Sequence, residues 1–334
     1  MKGKKQNKKK IITTIGGGTG QFVVLSGLKE FRKKFNFSLK AIVSMADDGG
    51  STGRLRDELG VLPPGDIRQC LVALSESSLT MRKLFNWRFK KGNLAGHSLG
   101  NLFLSALEKM TGSLEKAIEE ISLIFRIQGE VIPVTLEKID LVAELNNSEI
   151  IYGQHNINTS KKIRKVGIKK LCLSHPAKAN PKAVEAIKKA DLIVIGPGNL
   201  YCSLIPNFLV KGIVESLRES QAKKILVVNL MNKIGHTDGF FVDDYLKIIE
   251  RYTFPKMIDI VLYNRKKPSP LLLEKYKKEG KPPKFRKVKG VSAKFYGFNL
   301  LSKQIYQKDP GDRLYRSFIR HDPKKLAKAI LKFL

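Results

Sequence analysis

Short apolar runs alternate along the chain with longer stretches in which apolar side chains recur every three or four residues. Ile11–Ile15 is a β-branched run that ends at a glycine, which predicts a first strand. From Gln21 to about Lys34 the apolar spacing is helical, and Ala41–Met45 is predicted as the next strand. A strand–helix–strand unit of this kind predicts two parallel strands in one sheet.

The middle of the chain has mostly helical spacing. Asp66 follows a proline–proline–glycine break and is predicted as the N-cap of the first of these helices. The predicted helices cover about 67–76, 80–90, 98–110 and 113–126. Residues 131–174 contain short strand-like pieces separated by turns, which indicates a small antiparallel section. We therefore predict a helical and small β insertion at 66–174.

Strands and helices alternate again in the last third of the chain. The predicted strands are 191–195, 225–229 and 258–264, and the predicted helices are 181–189, 203–219 and 241–250. Residues 265–290 are rich in lysine and proline and predict an exposed excursion. Asp322 and Pro323 are predicted as the N-cap and first residue of a closing helix. The whole pattern predicts one α/β domain over 11–334 with a Rossmann-like, doubly wound and mainly parallel sheet.

Composition narrows the class of protein. Apolar residues make up 42% of the chain, which is ordinary for a folded domain, and no apolar run approaches the roughly 20 residues that a membrane span needs. The N-terminus is lysine-rich but lacks the apolar core of a secretory signal, so we expect a cytoplasmic protein. Cys70, Cys172 and Cys202 have no metal-binding spacing and are expected to be reduced.

Positive charge is concentrated at the two ends of the chain. The formal net charge is +32; residues 1–10 hold six lysines and no acid, and residues 265–334 hold 21 basic and 5 acidic residues. We predict that 1–10 is a basic disordered arm. Such a charge favours an anionic partner, but no nucleic-acid-binding motif accompanies it. A basic, solvated surface is therefore favoured over nucleic-acid binding.

Glycines and small polar residues follow nearly every predicted strand. Because the carboxyl ends of parallel strands meet at one edge of a sheet, these residues predict a ligand crevice there. The strand-end candidates for ligand binding are Gly16, Gly17, Gly18, Thr19, Gly20, Asp47, Asp48, Gly49, Gly196, Gly198, Asn199, Asn229 and Asn264. Further candidates from the second loop and the helical region are Arg54, Asp66, Arg68 and Asn101.

The first glycine loop, GGGTGQ, favours a phosphate. Glycines let a backbone approach a phosphate and leave N–H groups free at a helix start. Gln21 stands where the dinucleotide fingerprint has its last glycine, and no P-loop lysine follows. A tight strand-to-helix turn without a ligand is the alternative interpretation. In GPGNLYCS, Ser203 is predicted to cap the next helix.

Asp47 and Asp48 repel each other unless a cation or hydrogen-bond donors offset the repulsion. One of them is predicted to bind ligand hydroxyls or a phosphate-bound Mg²⁺, and the other to bind amides of its own loop. Mg²⁺ is the only cofactor the sequence indicates. Asp47, Asp48 and His97 are also the weak catalytic candidates. The alternative for a single aspartate is a turn or N-cap residue.

Arg68 is predicted to clamp a phosphate or to pair with one of these aspartates. His97 and Asn101 lie four residues apart and are predicted on one helical face. His97 is a candidate general base, and a hydrogen-bonded structural histidine is the alternative. No nucleophile–histidine–acid triad and no His/Cys metal set occurs in the sequence.

Several long motifs, in order along the chain, resemble one family. They are TIGGGTG, ADDGGSTGRLR, PPGDIRQCLVALSE, GHSLGN, IPVTL, GPGNLYCSLIPNFLVKGIVESL and HDPKKLAKAI. They resemble the YvcK-type gluconeogenesis factors of the CofD-like superfamily. The resemblance implies a Rossmann-like core and a cytoplasmic protein that binds UDP-N-acetylglucosamine and is needed for gluconeogenic growth, cell shape and cell-wall synthesis. It places Gly16–Gly20, Asp47, Asp48 and Gly196–Asn199 in the family's ligand crevice.

The same resemblance implies an alternative function. CofD relatives are Mg²⁺-dependent 2-phospho-L-lactate transferases of coenzyme F420 biosynthesis, so enzymatic turnover stays open. The chain departs from the family at MNKIGHTDGF (231–240), where a stretch like MTQPGET is usual, at Asn199 and Cys202, and at Gly153-Gln154. These departures concern the identity of the ligand. We expect a nucleotide sugar or another phosphorylated small molecule as partner and a homo-oligomer; an anionic-polymer binder is the weaker alternative.

Overall fold

Two sheets organise the chain in a computed structural model that describes residues 9–277, 279–288, 290–303 and 318–334. The strands are β1 (Lys10–Gly16), β2 (Phe37–Val43), β3 (Glu130–Pro133), β4 (Leu141–Leu145), β5 (Ile150–Tyr152), β6 (Ile168–Leu173), β7 (Leu192–Ile195), β8 (Lys223–Val227), β9 (Ile260–Asn264) and β10 (Lys294–Phe298). Seven of them form a parallel sheet in the order β10-β9-β8-β7-β1-β2-β3. The antiparallel sheet has the order β5-β4-β6.

Helices cover the parallel sheet and connect its strands. They are α1 (Gly18–Phe31), α2 (Gly50–Leu59), α3 (Pro64–Leu74), α4 (Leu79–Asn86), α5 (Leu99–Thr111), α6 (Leu114–Ile124), α7 (Gln154–Thr159), α8 (Lys162–Val166), α9 (Pro181–Lys188), α10 (Ile205–Phe208), α11 (Ile213–Glu219), α12 (Val242–Arg251), α13 (Pro270–Tyr276) and α14 (Pro323–Ile330). A π-helical turn, Leu200–Leu204, precedes α10, and a 3₁₀ turn, Leu331–Phe333, follows α14. Within the described residues, no helix is long and apolar enough to cross a membrane.

The topology reverses between β1 and β7. From β1 the chain moves to β2 and β3 on one side, and β7 to β10 lie on the other side. All four residues of β7 are buried, as is most of β1, because helices cover both faces of the central strands. This confirms the predicted doubly wound, Rossmann-like fold. It also puts the carboxyl ends of β1 and β7 at the point where such sheets bind ligands.

The closing helix packs back onto the sheet, as predicted. Asp322 is its N-cap and accepts a hydrogen bond from the amide of Lys325 at 3.0 Å, and Pro323 occupies the first helical position. α14 packs against α1, where a Cβ at Gly27 would collide with the carbonyl oxygen of Pro323. A glycine on α1 therefore allows the two helices to touch.

Several predicted elements differ from the structure. Residues 203–219 do not form one helix: the chain passes through the π-helical turn, α10 and α11, with Gly212 at a φ of 101° between the last two. Pro63, not Asp66, is the N-cap of α3, because the helix begins three residues earlier than predicted and Asp66 falls in its first turn. Residues 50–59, to which the sequence analysis assigned no helix, form α2.

Two strands of the parallel sheet differ from the sequence prediction: β3 was predicted as antiparallel, and β10 was not predicted. Part of the segment 131–174 was predicted as antiparallel, but β3 pairs in parallel with β2, so α2–α6 are the crossover between sheet neighbours. The rest of that segment forms the small antiparallel sheet, as predicted. β10 was not predicted, because its sequence, KFYGF, is short, contains a glycine and follows the lysine-rich excursion.

The lysine-rich excursion at 265–290 is partly docked. It contains α13, and Tyr276 at the end of that helix is buried against Leu230, Met231 and Ile319. The predicted domain start at residue 11 and the basic arm remain predictions, because residues 1–8 lie outside the described residues.

Candidate functional site

A cleft of about 360 Å³ opens at the carboxyl ends of β1 and β7. Its lining comes from the loops after the central strands and from segments far away in sequence. Lining residues used below are Gly17, Gly18, Thr19, Gly20, Asp47, Gly49, Asp66, Arg68, Asn101, Asn158, Gly198, Asn199, Asn229, Lys233, Glu279 and His321. Most of the predicted ligand-binding residues therefore meet in one place.

The first glycine loop leads directly into α1. Gly17 is the N-cap, and Gly18 begins the helix with a φ of 60°, a conformation that favours glycine. A Cβ at Gly20 would collide with the carbonyl oxygen of Pro197, so the two glycine loops touch. The first turn of α1 has no acidic residue of its own, but the Asp66 carboxylate lies against it, since a Cβ at Gly17 would be 2.5 Å from Asp66 Oδ2. Backbone N–H groups at a helix start are the type of group that binds phosphate.

The second glycine loop is held by side-chain amides. The amide of Gly198 donates to Asn229 Oδ1 at 3.1 Å, and Asn229 Nδ2 donates to the carbonyl of Gly198 at 2.8 Å. Asn199 is the N-cap of the π-helical turn, because its Oδ1 accepts from the amide of Cys202 at 3.3 Å. The prediction that Ser203 is this cap is wrong: the helical turn begins at Leu200, three residues earlier.

Asp47 and Asp48 have different partners. Asp47 lines the cleft, and its Oδ1 accepts from the amide of Gly49 at 3.1 Å. Asp48 Oδ1 accepts from the amide of His155 at 2.6 Å, in the first turn of α7. The position in the cleft lining and the own-loop hydrogen bond thus both belong to Asp47, whereas we had predicted one aspartate to face a ligand and the other the loop amides. Asp48 instead attaches α7 to the strand end.

The Asp47 carboxyl is in an unusual electrostatic environment. Burial raises its pKa above the ordinary value, and hydrogen bonds from Gly49 and Thr52 act in the opposite direction. A Cβ at Gly65 would lie 2.9 Å from its Oδ2, so α3 approaches it closely. A cation or hydroxyl donor from a ligand would favour the ionised carboxylate.

Magnesium fits Asp47 better than Asp48. Asp47 and Asp66 both line the cleft, and Mg²⁺ takes one or two carboxylates together with phosphate oxygens and water. In the described part of the chain, no group of three or more His, Cys, Asp or Glu side chains could hold a metal alone. Asp48 does not fit because it lies outside the cleft lining, where its carboxylate accepts from the His155 amide. A metal here would depend on oxygen atoms of the ligand.

Arg68 lies at the cleft inside a buried hydrogen-bond network. Its Nε donates to Asn101 Oδ1 at 2.8 Å, and its Nη1 donates to Asn86. Asn101 Nδ2 donates to Ser51 Oγ at 3.1 Å, and Ser51 Oγ lies 3.0 Å from His97 Nδ1. The two amides orient the guanidinium.

His97 lies behind the cleft, not in its lining. The prediction that His97 and Asn101 share a helical face is wrong, because Ser98 is the N-cap of α5 and His97 precedes it. Burial lowers the pKa of His97, which favours the neutral ring. The geometry supports the structural interpretation over the general base.

Some predicted ligand contacts lie elsewhere. Arg54 Nη2 donates to the carbonyl of Ala95 at 2.8 Å, and Asn264 Nδ2 donates to the carbonyl of Lys266 at 2.6 Å. Asn264 Oδ1 also accepts from the amide of Leu300 at 3.1 Å. Gly16 and Gly196 lie beneath the cleft against Leu204. These four residues are outside the lining, so the geometry does not support ligand contact for them.

Sequence reasoning missed one side of the cleft. Asn158, Lys233, Glu279 and His321 line it and follow no strand of the predicted sheet directly. Glu279 Oε2 and His321 Nε2 are buried and have no hydrogen-bond partner among the described residues. Burial lowers the pKa of His321 to about 4, so the ring is neutral at physiological pH. Two sequence signals fall on this side: HDP, which we interpreted only as a helix start, and MNKIGHTDGF, which contains Lys233 and which we noted only as a departure from the family pattern.

The comparison with known proteins agrees with this architecture. Residues 12–295 match the family described as 2-phospho-L-lactate transferase CofD. A relative from Aquifex aeolicus is 43% identical over 331 residues, which is 98% of this chain and 97% of the relative. The gluconeogenesis factor of Halalkalibacterium halodurans is 39% identical over 330 residues, 97% of either chain. This chain belongs to the CofD family.

A solved structure supports the fold over nearly the whole chain. The UPF0052 family member from Bacillus halodurans superposes with a TM-score of 0.88 at 38% identity and covers 97% of this chain and 99% of its own. The family match ends at residue 295, before the closing segment that carries His321, whereas both relatives extend over nearly the full chain. The resemblance that the motifs indicated is confirmed.

Proposed function

We propose that the cleft binds a nucleotide sugar, UDP-N-acetylglucosamine, and that the protein is a regulator needed for gluconeogenic growth, cell shape and cell-wall synthesis. The observation that carries the proposal is the contact of two glycine loops at the switch point, with the first turn of α1 in the lining of the cleft. Backbone amides in this arrangement bind phosphate oxygens. The name of the Halalkalibacterium relative, a gluconeogenesis factor, supports the cellular role.

Asp47 has a defined part in this proposal. Its carboxylate accepts sugar or ribose hydroxyls, or holds a Mg²⁺ that also contacts the phosphates. Arg68, oriented by Asn101 and Asn86, adds positive charge at the same end. Binding then needs no covalent step.

Isothermal titration calorimetry with UDP-N-acetylglucosamine, with and without Mg²⁺, tests the proposal. We expect saturable heat from the wild-type protein and at least a tenfold weaker affinity for Asp47→Asn, since a charge-assisted hydrogen bond contributes about 1.5–3 kcal/mol. Lys162→Gln, at an exposed ion pair far from the cleft lining, is the matched control. No heat at millimolar ligand from a folded sample contradicts the proposal.

A Mg²⁺-dependent phosphotransferase is the second candidate. The presence of two carboxylates, Asp47 and Asp66, in one cleft with two glycine loops favours it, as does the family description. The reaction would move phospholactate from a guanosine diphosphate-linked donor to the hydroxyl of a deazaflavin acceptor. The acceptor oxygen forms a bond to the phosphorus that carries lactate, the phosphoanhydride bond breaks, GMP leaves and the hydroxyl proton goes to solvent. Product that requires Mg²⁺ and is lost in Asp47→Asn supports turnover; no product with both substrates and Mg²⁺ present contradicts it.

A further inference from the structure

Lys233 is a partly buried cation at the cleft, in the MNKIGHTDGF stretch where this chain departs from the family pattern. Its Nζ donates to the carbonyl oxygen of Asn158 at 2.7 Å and also to Asn158 Oδ1. Its backbone amide donates to Thr237 Oγ1 at 2.8 Å. The side chain is therefore held in one position, with its amino group between Asn158 and the cleft.

Among the described residues, no acidic side chain forms an ion pair with the Lys233 ammonium. In the part of the chain that the structure describes, the titratable groups that interact with this ammonium are the Cys202 thiol, whose pKa burial raises to about 12, and the His236 imidazole, whose pKa burial lowers to about 3, so both are neutral. Lys224, another lysine with a buried amino group, also donates to two backbone carbonyls, but Asp259 lies near it. A desolvated ammonium without a counter-charge is unfavourable unless a ligand supplies one.

The position of Lys233 indicates which part of a ligand it would meet. Asn158 Oδ1, which accepts from Lys233, also accepts from Asn199 Nδ2 at 2.7 Å. Lys233 is thus joined through one amide to the second glycine loop. That loop touches the first, so the N-terminus of α1 and the Lys233 ammonium lie at neighbouring parts of the same cleft.

We propose that Lys233 and the Gly198–Asn199 loop form a second anion subsite, beside the N-terminus of α1, and that the two subsites together bind a diphosphate. The inference rests on the proposed nucleotide-sugar function and deepens it, because it requires two linked phosphates. A nucleoside monophosphate would fill only the subsite at α1. Lys233 then contributes to affinity through charge, and Asn158 and Asn199 position it.

Titration calorimetry with three probes tests this: UDP-N-acetylglucosamine, UMP and inorganic pyrophosphate. For Lys233→Gln, which keeps a donor for Asn158 but loses the charge, we expect at least a tenfold loss of affinity for the two diphosphates and less than a threefold change for UMP. The salt dependence of diphosphate binding should also become weaker. Lys162→Gln, which removes an exposed charge outside the cleft, should match the wild type.

The outcomes separate this inference from the proposed function. If Lys233→Gln is folded and binds UDP-N-acetylglucosamine and pyrophosphate as well as the wild type, the second subsite is contradicted while the nucleotide-sugar function stands. If the wild type binds pyrophosphate in a Lys233-dependent way but does not bind UDP-N-acetylglucosamine, the subsite stands and the assigned nucleotide sugar is wrong. An equal loss for UMP and the diphosphates contradicts the division into two subsites.

Discussion

The cleft has two walls of different chemistry. The glycine wall, formed by residues 17–20 and 197–199, presents backbone, and the side-chain wall, formed by Asn158, Lys233, Glu279 and His321, presents polar and titratable groups. Backbone amides keep their charge distribution at every pH, so phosphate binding by the glycine wall, as we propose it, would not depend on the titration of protein groups. In the same proposal the side-chain wall sets charge and specificity. We therefore expect a side chain added to the glycine wall to disrupt the fold. Substitutions in the side-chain wall should leave the fold intact and change ligand binding.

The largest expected effect is at Gly20. Gly20→Ala places a Cβ against the carbonyl oxygen of Pro197, so both glycine loops must move. We expect a loss of about 3 kcal/mol in the free energy of unfolding, measured by urea denaturation, and loss of ligand binding. Gly16→Ala is the matched control, because its Cβ would make only ordinary contacts, at 3.5 Å or more. Equal stability of the two variants would contradict close contact between the loops.

A smaller effect on stability is expected at His321. Burial lowers its pKa to about 4 in the folded protein, against roughly 6.5 when unfolded. Between these values the unfolded chain binds a proton that the folded chain does not, so stability falls as the pH drops through this range. His321→Gln should reduce the loss between pH 7 and pH 5 by about 2 kcal/mol. An unchanged pH dependence of urea unfolding would place this imidazole in solvent.

Substitutions of the two adjacent aspartates should affect different properties: Asp48→Asn should lower the stability of the fold, and Asp47→Asn should weaken ligand binding. Asp48→Asn weakens the hydrogen bond to the His155 amide and should cost about 1 kcal/mol of unfolding free energy. Asp47→Asn should leave stability unchanged or slightly raised at neutral pH. Because burial raises the Asp47 pKa, the folded protein retains a proton that the unfolded chain has lost, and stability falls as the pH rises through that interval. If Asp47→Asn destabilises more than Asp48→Asn in urea denaturation, their assigned roles are reversed.

The smallest effect on binding is expected at Asn264. Its amide bonds to Lys266 and Leu300 and lies outside both walls. Asn264→Ala should bind the nucleotide sugar within a factor of two of the wild type by calorimetry, with a modest loss of stability. A clear loss of affinity without unfolding would extend the site beyond the cleft described here.

The glycine wall could be predicted from sequence, and the side-chain wall could not. Residues such as Gly17 and Gly198 directly follow apolar runs, so the rule that parallel strands end at one edge locates them. Glu279 reaches the cleft because Tyr276 packs against Leu230 and Met231, a tertiary contact without periodicity in the sequence. Asn264 shows that the same rule can mislead. It is the last residue of β9, two strands away from the switch point, and its side-chain amide bonds to Lys266 and Leu300 instead of lining the cleft.

A crystal structure of the protein with UDP-N-acetylglucosamine tests the central claim most directly. The account predicts the diphosphate between Gly17–Gly20 and Gly198–Asn199, with one phosphate on the amides of α1 and the other within hydrogen-bond distance of Lys233 Nζ. The Asp47 carboxylate should face a ligand hydroxyl or a metal bound to the phosphates. A diphosphate bound outside the cleft, or one in the cleft that contacts neither glycine loop, would contradict it.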